Sequence, residues 1–561
     1  MFARAKRSVQ GGRTYEYLQI VETFRDNGKV RQRIVATIGR LDELTESGKL
    51  DGLITSVAKF SKNLAVIGEH QNGGLETLDT RKSGPSAVFG RMWKNLGVDD
   101  CIQRLLRERR FQFDVEAAVF MTTLHRLMDP GSDRAAEKWR RDYELPEGAK
   151  ALDLHQLYRA MAWLGGELPE KQQDGKTPFS PRCVKDLIEE DLFARRRDLF
   201  TDVSIVFFDT TTLYFEGEGG EIGKRGNSKD FRPHLNQMVV GLVIDADGRP
   251  LCSEMWPGNT TDVKSLLPVV DRLRKKFGVS RICVVSDRGM ISKETIHQLE
   301  ERKLEYILGA RMRSQKEIKK DVLSRGGRFK TVHPAKKNSK DPSPLKVKEV
   351  WVEDRRYVVC QNDAQARKDE ADRENILLGL EKQLKQGDKS LVGNKGYRKY
   401  LKATGEGFSI DRAKAEEEAK FDGKWVLRTN IEDMAAENIA LTYKQLWMVE
   451  SLFRNMKSLL DTRPIYHKCS ETIRGHVFCS FLALLLMREL QERMDDRGWM
   501  DAEWNDVIRD LDSLVETQVQ TKTGERFIIR GALKGWCGKT FQAAGVAIPP
   551  AIRLVGGAAA T

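Results

Sequence analysis

The order of strands between residues 201 and 309 constrains the fold more than any other feature of the chain. Ser204-Ile-Val-Phe-Phe-Asp209 is an apolar run of strand length that ends in a carboxylate. His234-Leu-Asn-Gln-Met-Val-Val-Gly-Leu-Val-Ile244 reads as a second strand, Asp245-Ala-Asp-Gly248 as a turn and Pro250-Leu-Cys-Ser-Glu-Met-Trp256 as a third strand. A helix is predicted from Ser265 through Lys276, with Leu266, Leu267, Val270 and Leu273 on its apolar face. A fourth strand, Arg281-Ile-Cys-Val-Val-Ser-Asp287, again ends in a carboxylate, and a helix (Ile291 to Arg302) and a strand (Leu304 to Gly309) follow. A buried carboxylate without a partner is costly. Metal ligation would satisfy Asp209 and Asp287, and a cap or turn-forming role is the alternative for either taken singly.

The remaining regions differ in character. Residues 1–40 carry nine basic side chains against three acidic ones, a net of +6, and their alternating pattern predicts a basic β-hairpin turning at Asp26-Asn-Gly28. That hairpin either binds a polyanion, with Arg31 and Arg33 as candidate contacts, or is an ordinary sheet with solvated arginines. We divide the chain into a basic, β-containing N-terminal region (1–80), a helical domain (86–200), the first part of an α/β core (201–310) and a mixed, basic insertion domain (311–430). The second part of the core (431–490) and a C-terminal region with a Pro, Gly and Ala-rich tail (491–561) complete it. In the helical domain Ala117, Phe120, Met121, Leu124, Leu127 and Met128 recur at helical spacing. In the insertion, residues 311–340 hold eleven Lys or Arg against Glu317 and Asp321.

Composition matters mainly for the partner. The formal net charge of +13 and a pI near 9.2 favour nucleic acid, with a merely basic protein as the bland alternative. The longest apolar run, Val477 to Met487, is too short for a bilayer that needs about 20 residues, and reads as a buried helix. No membrane association and no secretory signal are expected. The eight Cys lack any Cys-x-x-Cys pair, so zinc ribbons and disulfide scaffolds are not expected, and a reducing cytoplasm fits.

The third carboxylate is found by spacing. Met434 to about Lys457 is predicted as one long helix, in which steps of seven residues stack Tyr443, Glu450 and Lys457 along one polar face. The strand and helix order from 201 onward resembles the ribonuclease H-like fold, whose first and fourth strands lie side by side. The spacing Tyr-x2-Arg-x3-Glu-x6-Lys is the signature of a large group of bacterial insertion-sequence DDE transposases, and the chain resembles them. Tyr443, Glu450 and Lys457 match, while Leu446 stands at the Arg position, where a family contact to phosphate or target is lacking. Phe208-Asp209-Thr-Thr-Thr, Gly258-Asn259, Val285-Ser-Asp287-Arg-Gly-Met and Phe421-Asp-Gly-Lys-Trp425-Val-Leu-Arg-Thr-Asn are similar to further family motifs, so the resemblance covers about 201–490.

The resemblance implies a soluble bacterial DDE transposase, cytoplasmic and nucleoid-associated, that acts on double-stranded DNA as a homodimer pairing transposon ends and joining them to target DNA. Asp209, Asp287 and Glu450 would hold two Mg²⁺ about 3.5–4 Å apart, with Mn²⁺ able to substitute. Lys457 and Tyr443 would position the phosphate at the cut; a salt bridge and a packed aromatic are the alternatives. Trp425 would stack a base flipped from the transposon end and Trp447 would shape that pocket, or both pack in the core. Arg454 and His467 are further candidate DNA contacts, and His476 reads as a satisfied core histidine. A two-metal nuclease or a domesticated relative without strand transfer is the rival reading.

Overall fold

The computed structural model describes residues 1–26, 29–58, 74–174, 176, 180–196, 205–279, 282–290, 292–334, 343–385, 399–404 and 407–555. Asn27-Gly28 of the predicted turn, 201–204 and Arg281 at the starts of two predicted strands, Ile291, 335–342 in the basic loop and the end of the tail lie outside the described residues. The chain forms two units, one of Met1–Ser83, Ser513–Lys534 and Ala547–Thr561, the other of Gly84–Asp512 and Gly535–Val546.

In the first unit β1 (Phe2–Gln10), β2 (Arg13–Asp26) and β3 (Lys29–Arg40) make an antiparallel meander with β2 at its centre. Asp26 lies opposite Lys29, which closes the predicted hairpin. Arg31 and Arg33 are exposed on β3 and pair across the strands with Asp26 at 3.2 Å and Glu22 at 2.6 Å. A second sheet joins β4 (Leu75–Lys82) to three strands from the far end of the chain, Val515–Thr521, Arg526–Arg530 and Ile552–Leu554. Sequence reading separates 1–80 from 491–561, yet Leu75 pairs with Thr521 and Lys82 with Val515. Such long-range pairing is set by edge-to-edge hydrogen bonding, which leaves no local pattern.

In the second unit the helices Gly84–Leu96, Val115–Met128 and Leu154–Leu164 pack around the long helix Ser470–Asp495. Asp114 caps the second of these by accepting from the Ala117 N–H at 3.0 Å. Its expected apolar face is buried from Ala117 through Leu127, with Met128 half-buried. Val477 through Met487 are all buried, as expected, and among the described residues no helix is long and apolar enough to cross a membrane.

The other layer is a mixed sheet. Its strands are β5 (Ile205–Tyr214), β6 (Gln237–Ile244), β7 (Pro250–Pro257), β8 (Cys283–Ser286), β9 (Glu305–Gly309), β10 (Lys330–Val332), β11 (Leu345–Val352) and β12 (Arg355–Gln361). A separate hairpin of β13 (Leu401–Thr404) and β14 (Gly407–Ile410) precedes the ninth strand of the sheet, β15 (Lys424–Thr429). The order is β10-β11-β12-β15-β9-β8-β5-β6-β7, with β5, β8 and β9 parallel to one another and the other neighbours antiparallel. Apart from that hairpin, the strands within 311–430 therefore extend the main sheet: β15 pairs with the outer edge of β9, so those backbone groups are satisfied by the insertion rather than by water.

One face of the sheet, with Val206, Phe208, Val239, Val243 and Trp256, packs on the helices Asp262–Lys275 and Lys293–Glu301 through Leu266, Val270, Leu273 and Leu299. A buried charge cluster fastens the helix Val184–Arg196 to this layer. Arg272 reaches Glu189 at 2.8 Å, Glu254 at 2.7 Å and Asp186 at 3.0 Å, while Lys185 reaches Asp186 at 2.6 Å and the Ser253 carbonyl at 2.7 Å. Glu189 also accepts from the Ser253 N–H and hydroxyl. Arg272 thus bridges all three carboxylates. Arg272→Met should leave buried acids facing Lys185 and cost about 3–5 kcal/mol in urea unfolding followed by circular dichroism; a loss below about 1 kcal/mol would show that the cluster is not holding the layers together.

Candidate active site

Strand pairing brings the first two acids together. Ile205 pairs with Cys283, Val206 with Val284 and Phe207 with Val285, so Asp209 and Asp287 each stand two residues beyond the last of these pairs. β5 does not end at Asp209, as its sequence predicts, but runs on to Tyr214 in its pairing with β6, while Asp287 directly follows β8. Side chains alternate along a strand, so Asp209 points away from the face that carries Phe208. The Asp209 carboxylate accepts from the Thr210 N–H at 2.7 Å. Burial pushes its pKa up to about 6, with Asp287 and Asp262 adding to the rise and Lys229 opposing it.

Two residues that sequence reading missed complete this corner. Asp262 opens the helix that follows Gly258-Asn259 and accepts from the Thr210 hydroxyl at 2.7 Å. Lys229, from the loop between β5 and β6, donates to the Thr210 carbonyl at 2.6 Å and lies 3.5 Å from Asp262 and 3.9 Å from Asp209. That loop can reach the core only because glycines meet: a Cβ on Gly226 would fall 1.9 Å from the Gly258 carbonyl oxygen. The Gly258-Asn259 turn was the one sequence signal near Asp262; Lys229 lies in a polar loop without periodicity.

The predicted helix from Met434 to Lys457 is broken. It runs as Ala436–Lys444, turns through Gln445 and Leu446, resumes as Trp447–Arg454 and ends in a wider turn at Asn455–Leu459. At the break Gln445 N–H bonds Thr442 and Leu446 N–H bonds Tyr443, one residue tighter than an α-helix, so the seven-residue stacking does not carry through. Tyr443 donates its hydroxyl to Asp287 at 3.3 Å, and burial raises its pKa well above the usual value, which keeps that proton in place. The ring lies over β9 because Gly309 has no side chain; a Cβ there would sit 2.3 Å from the Tyr443 hydroxyl.

Glu450 is exposed on a helix that packs on β5 and β6 through an apolar side outside the Phe208 cluster. The third acid is thus carried over the strand that holds Asp209. Lys457 instead turns to Asp230 at 2.9 Å, and Arg463 lies 3.6 Å from the same carboxylate. Burial lowers the Lys457 pKa while Asp230 opposes that fall.

The other candidates are distributed as follows. Arg454 is exposed and Trp447 half-buried beside Glu450. Trp425 is half-buried in β15 opposite Cys360, and its indole N–H is buried without a hydrogen-bond partner. His467 faces the helical layer, 3.1 Å from Asp133 and 3.2 Å from His476, rather than the acids. Asp133, His467 and His476 bring three donor atoms within 4.8 Å of one another, a group that could hold an ion by distance. Arg126, however, sits 2.9 Å from His476 Nδ1, whose other ring nitrogen meets the Thr462 carbonyl at 3.1 Å. The lone pair a metal would need is therefore engaged, and His476 is the satisfied core histidine expected.

The second unit thus carries Asp209 and Asp287 on neighbouring strands and Glu450 on a helix packed on β5, all hard oxygen donors of the kind that divalent cations take. The transposase DDE domain matches residues 201–486, and the IS1634 family transposase N-terminal domain matches residues 3–69. The chain belongs to the insertion-sequence DDE transposases, whose catalytic domain acts as a nuclease and nucleotidyl transferase on DNA and depends on divalent metal. No curated protein matches the chain. The residues fit such an ion: Asp209 is a desolvated carboxylate beside two others, and a divalent cation would relieve that repulsion.

The raised Asp209 pKa has a sign. In metal-free buffer the ionised carboxylate costs stability, a cost absent below pH about 4 and complete above pH about 6. Asp209→Asn should raise the melting temperature at pH 8, by the equivalent of about 3 kcal/mol, and have little effect at pH 4. Equal shifts at both pH values would contradict the electrostatic origin.

Proposed function

We propose that the protein binds the terminal repeats of its mobile element and catalyses DNA cleavage and strand transfer, with Asp209, Asp287 and Glu450 as metal ligands in a ribonuclease H-like core. The observation that carries this reading is the parallel register of β5 and β8, Phe207 beside Val285, which sets Asp209 and Asp287 each two residues further on inside the matched DDE domain. Two Mg²⁺, or Mn²⁺ in their place, would lower the pKa of the attacking water or 3′-hydroxyl and stabilise the leaving oxygen. The chain's own groups do the rest. Tyr443 orients Asp287 through its hydroxyl, and Thr210 orients Asp209 through its N–H. The Tyr443, Glu450 and Lys457 spacing supports the Tyr-Arg-Glu-Lys group, with Leu446 in the Arg position.

DNA contacts are assigned in the first unit to the basic N-terminal sheet with Arg31 and Arg33, and in the second unit to exposed Arg454 beside Glu450 and to Trp447 and Trp425 as base-stacking groups. His467 and Lys457 are held by Asp133 and Asp230, so a phosphate contact from either requires that acid to let go. A homodimer on paired ends, in a bacterial nucleoid, follows from the same reading.

With purified protein, Mg²⁺ and a plasmid bearing the cognate ends, Asp209→Asn, Asp287→Asn and Glu450→Gln should each abolish cleavage and joining while end binding persists. Cleavage at the wild-type rate by any of them would reject that residue as a ligand. Replacing Arg31 and Arg33 by Ala should lower the slope of log binding constant against log salt by about 0.9 for each phosphate that is no longer neutralised. An unchanged slope would move end recognition away from β3.

A further inference from the structure

The acid corner already contains a cation. The Lys229 ammonium lies among four oxygens: the Thr210 carbonyl at 2.6 Å, the Thr210 hydroxyl at 2.9 Å, Asp262 at 3.5 Å and Asp209 at 3.9 Å. Two carboxylates, a carbonyl and a hydroxyl are the oxygen donors that a hard divalent cation also takes. The hydroxyl works in both directions, accepting from Lys229 and donating to Asp262 at 2.7 Å.

The lysine is held there by its backbone as well. Its N–H donates to the Thr212 hydroxyl at 2.9 Å, and the next residue, Asp230, is fixed by Lys457 at 2.9 Å. The Lys229 side chain keeps 33% of its surface exposed, so the ammonium can swing to solvent without unfolding the loop. An ammonium beside a carboxylate opposes a second cation at the same oxygen.

We infer that Lys229 is the resident counter-ion of the acid site, a positioning residue that neutralises Asp209 and Asp262 until a divalent ion displaces its ammonium from Asp209. Asp262 is the fourth carboxylate of the site and retains the lysine when Asp209 turns to metal. The inference rests on the reading of Asp209 and Asp287 as metal ligands.

The test is Mn²⁺ binding to the full chain without DNA, read from the electron paramagnetic resonance signal of free Mn²⁺. Lys229→Met should bind Mn²⁺ about fivefold or more tighter than wild type, because the competing charge is gone. Lys229→Arg, which keeps the charge, should stay close to wild type, and Asp287→Asn should remove the binding. An Asp287-dependent affinity that is unchanged or weaker in Lys229→Met overturns the counter-ion role alone. A wild-type protein with no Asp287-dependent binding overturns the metal-site reading with it. A second readout needs no variant: acylation of Lys229 in the wild type, followed by mass spectrometry, should speed up on adding Mn²⁺. An unaltered rate would show that the ammonium never leaves and would also overturn the inference.

Discussion

The parallel pairing of β5 with β8 is the constraint on which the site depends. Parallel strands cannot be joined by a tight turn, so the chain must travel from β5 through β6, β7 and the helix Asp262–Lys275 before β8 can lie beside β5. The same detour brings Asp262 to Thr210 on β5 and Gly258 to the loop that carries Lys229. One register therefore sets the acid pair, the fourth carboxylate and the turn against which the Lys229 loop rests. A shift by one residue would send Asp209 to the face now filled by Phe208 and bury a charge among Val206, Val239 and Leu266.

Charge in this unit is managed in two ways. Beneath the sheet, Arg272 and Lys185 are enclosed with three acids, Arg272 bonding through both terminal nitrogens while its Nε has no hydrogen-bond partner, which ties the layers together. Where β5 and β8 lie side by side, Asp209 and Asp262 lie near a half-exposed lysine and Asp287 accepts from a tyrosine hydroxyl, and the Asp209 carboxyl stays raised. The first arrangement is closed. The second stays open to solvent through Lys229, whose side chain keeps a third of its surface exposed.

The break at Gln445 and Leu446 has a similar logic. Tyr443 belongs to the short helix that lies by β9 and reaches Asp287, whereas Glu450 belongs to the next helix, which lies on β5. Two short helices can address two strands; one straight helix would present both residues on a single line. Gln and Leu are good helix formers, so the residues at the break do not announce it. Packing of Val449, Leu452 and Phe453 on one side and Ile439 and Ala440 on the other decides it.

By itself the sequence determined the apolar strands, the carboxylate that follows β8, the buried helix at Val477–Met487, the basic hairpin and the spacing around Glu450. These are local patterns, because burial on one face or two imposes a period on the chain. Tertiary structure alone decided that Lys229 and Asp262 join Asp209, that Lys457 turns to Asp230 and His467 to Asp133, and that β4 pairs with a strand near the other end of the chain. Each of those is an ion pair or hydrogen bond between residues distant in sequence. A polar side chain in a loop carries no period that names its partner, and only the folded backbone brings the two within reach.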